Sequence, residues 1–212
     1  MTITQTRIAA FTFSVIPGII NILGIKMLGI VLTNVTGHFS GTVQQLEVES
    51  GRGILIILTY IFMYWMGSFC AASCFIYGTR KDNHFIKAIP LFVNLGIMLW
   101  ALGTNSIPIY LFFLATSVQN SFAANHSNNE IRPSQITGVV MASGLDIAKY
   151  FFSDCSKEAK RADIRSFTNK MLNVMGFVAG GVIAFFYTTI FILWIPAAFY
   201  AIVALLIIQK KL

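Results

Sequence analysis

Hydrophobic and polar positions along this chain fall in long blocks rather than in alternation. Apolar stretches at 8–32, 53–77, 85–102, 107–124, 171–190 and 191–208 each come close to the roughly 20 residues that a helix needs to cross a bilayer. Segments such as 54–63 and 202–208 are apolar on every side, which suits helices and not the alternating strands of a membrane barrel. The last two stretches are nearly continuous, so a tight turn is expected at 188–191, and Asn105 with Pro108 marks the turn between the third and fourth. A seventh run, 138–152, is apolar but short for a crossing and fits a re-entrant or an interfacial half-helix. Residues 153–167 carry mixed charge (Asp154, Lys157, Glu158, Lys160, Arg161, Asp163, Arg165), the pattern of a helix lying along the inner membrane surface.

The expected fold is therefore all-α, a polytopic membrane protein with six transmembrane helices. Composition agrees. Apolar residues make up 56% of the 212 and charged residues 11%, against about 45–50% and about 25% in ordinary globular domains. A soluble fold of this size could not cover its surface with so few charges.

Charge then changes the picture from membership to topology. The formal net charge is +7, which in a soluble protein would suggest nucleic acid. With the N-terminus in the cytoplasm, thirteen Lys and Arg fall inside, Arg52 alone falls outside, and Lys26 lies within the first span. That asymmetry is the positive-inside pattern and predicts cytoplasmic N- and C-termini. The outer loop 44–50 carries Glu47 and Glu49 instead. Cys70 and Cys74 lie four residues apart in an apolar span without His or carboxylate neighbours and read as packing residues, and Cys155 adds little, so neither a metal nor another cofactor is expected.

Candidate chemistry sits where polar residues interrupt the spans. Pro17–Gly18 falls inside the first span, where proline removes an intrahelical hydrogen bond and predicts a helix break; Asn21 or water is the expected partner for the freed carbonyl. Lys26 is an intramembrane cation, a site candidate that could equally snorkel to outer headgroups. Thr36, Gly37 and His38 follow directly after that span, as does Thr33–Asn34. In the fourth span Gln119 and Asn120 lie deep, and Thr137–Gly138 follows at a similar spacing. Three spans precede the midpoint and three follow it, so equivalent halves, 1–104 and 105–212, would cross in opposite senses. That is the parity of a 3+3 inverted repeat, with short half-helices after each Thr-Gly and a site near the midplane. Gly176-x-x-x-Gly180 should let the fifth span pack closely on a neighbour, and Asp146 has Lys149 on its own helical face as a candidate partner.

These residues resemble the signatures of the YoaK-type family of bacterial multi-pass membrane proteins of unknown function. The first signature, a Gly-x-x-Asp-Ala start, a Leu-Gly step and a Met-Thr-Gly-Asn end, corresponds to Gly18–Ile19–Ile20–Asn21–Ile22, Leu28–Gly29 and Val35–Thr36–Gly37–His38. The second, Gly-x-Gln-Asn-Ala followed by Thr-Gly, corresponds to Ser117–Val118–Gln119–Asn120–Ser121 and Thr137–Gly138. Asn21 stands where the family has Asp, His38 where it has Asn, and Ser117 and Ser121 where it has Gly and Ala. An asparagine cannot titrate, so the resemblance implies the six-helix fold more than any proton-linked activity.

The expected function is a small-solute permease or transporter-like protein. Asn21, Gln119 and Asn120 would offer neutral contacts to a neutral or zwitterionic solute. The alternative is a structural or regulatory membrane protein without a substrate, whose polar residues only satisfy helix backbones. No nucleophile elbow, zinc spacing or phosphate loop points to an enzyme. An intramembrane enzyme would need Lys26, His38 and Asp146 to converge. The expected partners are the lipid bilayer, a small solute and, as a possibility the sequence leaves open, a second copy of the chain.

Overall fold

A computed structural model of the chain describes residues 3–34, 36–40 and 51–210. The acidic loop 44–50 lies outside the described residues. Seven long helices are seen: α1 (Ile3–Leu28), α2 (Gly51–Arg80), α3 (His84–Thr104), α4 (Ile109–His126), α5 (Ile136–Phe152), α6 (Lys157–Phe186) and α7 (Trp194–Ile208). Residues 36–40 are also helical, a turn of 3-10 helix at Ile190–Leu193 leads into α7, and no strand occurs among the described residues.

Local chemistry sets the boundaries. The Asn83 side chain accepts from the Ile86 amide to start α3, and Asn105 closes it in the left-handed region at φ 49°. Pro108 then caps α4 with extended backbone, and Ser156 caps α6 by accepting from the Ala159 amide. The junction between α6 and α7 is short, as the nearly continuous hydropathy requires.

Among the described residues five helices are long and apolar enough to cross a membrane: Ile3–Leu28, Gly53–Arg80, His84–Thr104, Lys157–Phe186 and Ile190–Ile208. The fourth expected span, α4, is a helix at the expected place but falls outside this set because Gln119, Asn120, Asn125 and His126 make it too polar. Its position explains how that is tolerated. Residues 115–123 of α4 are buried without interruption, so Gln119 and Asn120 are enclosed by the neighbouring helices. Large apolar side chains point outward elsewhere, among them Phe62, Trp65 and Phe69 on α2 and Val178, Val182 and Phe185 on α6. A second difference concerns α6. From Lys157 onward the charged segment and the apolar span after it are not two elements but one 30-residue helix.

The helices pair as α1 on α6, α2 on α4 and α3 on α7, with α5 laid against α6. Small residues allow the two closest pairings. A side chain at Gly176 or Gly180 would collide with the carbonyl oxygens of Phe11 and Val15, and one at Gly18 with that of Phe177. In the other pair, Gly67 abuts the Leu114 carbonyl in the same way. Residue numbers rise together in each pair, so α1 runs parallel to α6 and α2 parallel to α4. By contrast α1 and α4 are antiparallel: Phe13 meets Gln119, while Thr6 lies beside His126.

The expected break at Pro17–Gly18 does not occur, since α1 is helical throughout. Proline still leaves the Phe13 carbonyl without its usual donor. That oxygen accepts from Gln119 Nε2 at 2.6 Å, so the partner is Gln119 of α4 and not Asn21.

Candidate functional site

Two side chains fold the chain back on itself in matching ways. Asn21 Oδ1, in α1, accepts from the Thr33 hydroxyl at 3.0 Å and the Thr33 amide at 3.3 Å. Asn120 Oδ1, in α4, accepts from the Ser134 amide at 3.0 Å, and its Nδ2 donates to the Ser134 hydroxyl. In each case a buried asparagine holds a hydroxyl residue three positions before a Thr-Gly step. The two stretches are Thr33–Asn34–Val35–Thr36–Gly37 and Ser134–Gln135–Ile136–Thr137–Gly138. Both read hydroxyl, amide, β-branched, Thr, Gly. The repeat thus extends beyond the Thr-Gly pairs to the three positions before each, where Thr33–Asn34 matches Ser134–Gln135.

These stretches come together. A cavity of about 280 Å³ is lined from one side by Thr33, Asn34 and Thr36, and from the other by Gln135, Thr137 and Gly138. Asn34 caps its own helical segment through Oδ1, which accepts from the Gly37 amide at 2.9 Å. Gln135, at the equivalent cap of α5, makes no such bond, so the first amides of α5 face the cavity region uncapped. Tyr64 of α2 and Gln135 line this cavity and also a second one of about 420 Å³. The second cavity extends past Asn120, whose Nδ2 donates to the Tyr64 hydroxyl at 2.7 Å, to Ser117, Asn125 and Arg132. The two together form a cleft with a polar, mostly neutral lining.

The other candidates have different neighbours. Asn21 lines neither cavity; its partner Thr33 does. Gln119 is wholly engaged in the interior, bonded to Phe13 and, through Oε1, to the Tyr200 hydroxyl at 2.7 Å. Lys26 donates to the Phe185 carbonyl at 2.7 Å and to the Thr188 hydroxyl at 2.9 Å, and it stands over the Phe185 ring. It thereby serves the carbonyl end of α6, where a cation is favoured. His38 Nε2 meets the Val31 carbonyl at 3.0 Å, with its ring edge-on to Phe113. Asp146 pairs with Lys170 of α6 at 2.6 Å and not with Lys149. Lys26, His38 and Asp146 thus have three separate sets of partners. Tyr64 and Arg132, both of which line the cleft, were not singled out by the sequence, because neither stands in a repeated motif.

The loop that carries Ser134 is anchored from α6. Glu130 accepts from Arg165 at 3.3 Å and from Asn169 at 3.1 Å, and the Arg132 carbonyl accepts from Asn173 at 3.0 Å. Asn173 in turn accepts from Ser14 of α1 at 2.6 Å. The segment is therefore built in and not draped over the bundle.

An all-helical bundle of membrane-spanning character around a polar cleft is the class of protein these features define. Within that class, the chain belongs to the DUF1275 family, proteins of unknown function, whose model matches residues 9–206. No curated protein and no solved structure gives a significant match.

Proposed function

We propose that this protein is a small-solute permease of the YoaK type, built from two inverted halves, 1–104 and 105–212, in a bacterial inner membrane. In this reading α4 is the sixth crossing, kept from lipid by its neighbours, and both termini are cytoplasmic. The exchange of partners supports the inverted halves: the first helix of each half lies parallel to the long helix of the other, and the two first helices are antiparallel. The observation that carries the function is the cleft, to which each half contributes residues of the same five-residue sequence pattern. Helix entries meeting at a polar cavity between inverted repeats are the arrangement in which transporters hold their substrates. The neutral amides and hydroxyls favour a neutral or zwitterionic solute. A structural protein without a substrate is the rival reading, in which Asn21 and Asn120 serve only to tie loops.

Reconstitution into proteoliposomes separates the two. The permease reading expects uptake of a small polar solute in a panel containing alanine and glycerol, reduced at least several-fold in Asn21→Ala and Asn120→Ala. Absence of uptake and of ligand stabilisation, with the variants merely less heat-stable, would support the structural reading instead.

A further inference from the structure

The cleft is not electrically neutral. Arg132 is the one charged residue among the described residues lining its two cavities, and none of those residues is a carboxylate. Its nearest acidic neighbour, Glu130, is turned to α6, where Arg165 and Asn169 hold it beside a separate cavity. Arg132 itself makes no ion pair among the described residues. Its side chain is exposed at the cleft while its carbonyl is fixed by Asn173, so the cation is carried on an anchored backbone.

Two further donors belong to the same cleft. Ser117 is 1% exposed, lines the larger cavity, and its hydroxyl has no hydrogen-bond partner. The adjacent Thr116 hydroxyl, by contrast, donates to the Phe112 carbonyl one turn back at 2.8 Å. A buried hydroxyl left without a partner costs stability unless something else occupies it. The second donor set is the uncapped start of α5 at Gln135, where the helix dipole presents its positive end. A cation, an idle hydroxyl and a helix N-terminus, with no opposing carboxylate among the described residues, call for an oxygen anion.

We infer that the cleft binds a small solute carrying one carboxylate or a similar oxyanion, monoanionic or zwitterionic, with Arg132 as the residue that recognises it. This deepens the permease reading and rests on it for the cleft being a solute site. It revises the substrate class: solutes with no anionic group are excluded, and monoanions are admitted beside zwitterions. Arg132 forms the charge-assisted hydrogen bonds, with the unpartnered Ser117 hydroxyl just behind the cavity wall as a further donor.

The test is binding to the purified full chain in neutral detergent, read as the shift in thermal unfolding at constant ionic strength. The probes are acetate, alanine, inorganic phosphate and glycerol, with phosphatidylglycerol nanodiscs as a separate arm. Acetate, alanine or phosphate is expected to give a saturable upward shift, and glycerol none. Arg132→Gln should unfold at the wild-type temperature without ligand, because the side chain is exposed, yet bind about tenfold more weakly or worse. Ser117→Ala should weaken binding by a few-fold. The inference is overturned if none of the oxyanion probes binds, if Arg132→Gln binds them as wild type does, or if glycerol binds equally well. A response confined to phosphatidylglycerol would assign the cation to a headgroup and also overturn it. Arg132-dependent binding without flux in proteoliposomes would remove the permease reading alone. Glycerol flux indifferent to Arg132 would remove the oxyanion alone.

Discussion

Gln119 shows how one side chain can solve a problem created 102 positions away. Pro17 has no amide hydrogen, so the Phe13 carbonyl inside α1 would be bare in an apolar interior, where such a group costs several kcal/mol. Gln119 fills that vacancy with its NH₂ and uses its carbonyl oxygen to accept from Tyr200, tying α1, α4 and α7 at one point. Gln119→Leu leaves two buried groups without partners and should destabilise the protein by about 2 kcal/mol or more. Pro17→Ala returns a donor to Phe13, so the double variant should recover part of that loss in a denaturant titration. Full additivity of the two substitutions would contradict the coupling. Both residues were visible in the sequence as polar or helix-disturbing interruptions. Their pairing was not, because the nearest amide along the chain, Asn21, is the intuitive partner and is committed to Thr33.

At the scale of elements, glycines decide which helices can touch. Gly176 and Gly180 of α6 rest directly on the backbone of α1, and Gly67 of α2 on that of α4. Gly180→Val should force α1 and α6 apart, giving a protein that unfolds at markedly lower temperature or aggregates on size exclusion. Gly138→Ala, where nothing lies within 4 Å of an added methyl group, should unfold close to the wild-type temperature. A Gly180 variant as stable as wild type would mean that the α1–α6 contact is not close. The glycine spacing, the turns at Asn105 and near 188, and the short apolar helix at 136–152 could all be read from residue order, since each depends on local chemistry. The continuity of α6 could not be read from hydropathy. Charge density falls sharply near Lys170, yet no Gly or Pro stands between 153 and 175 to stop the helix. Hydropathy reports what surrounds a helix, and only breakers report where it ends.

For the whole molecule, the same separation between local and distant information applies to the cleft. Asparagine positions and Thr-Gly steps in the two halves were legible. That they face one another across Tyr64 and Gln135, with Arg132 beside them, depends on packing between residues far apart in sequence. The central claim is that this cleft is the path of a solute. Gln135 is suited to testing it, because it is exposed, lines both cavities, and makes no cap bond that a substitution would break. The most direct measurement is uptake of radiolabelled alanine and acetate by proteoliposomes containing Gln135→Cys, with Cys70, Cys74 and Cys155 replaced by serine, before and after modification with a bulky thiol reagent. The account predicts that modification abolishes uptake, that the cysteine-free parent is unaffected, and that solute slows the labelling. Uptake that survives complete modification, or no uptake by the unmodified protein, would contradict it.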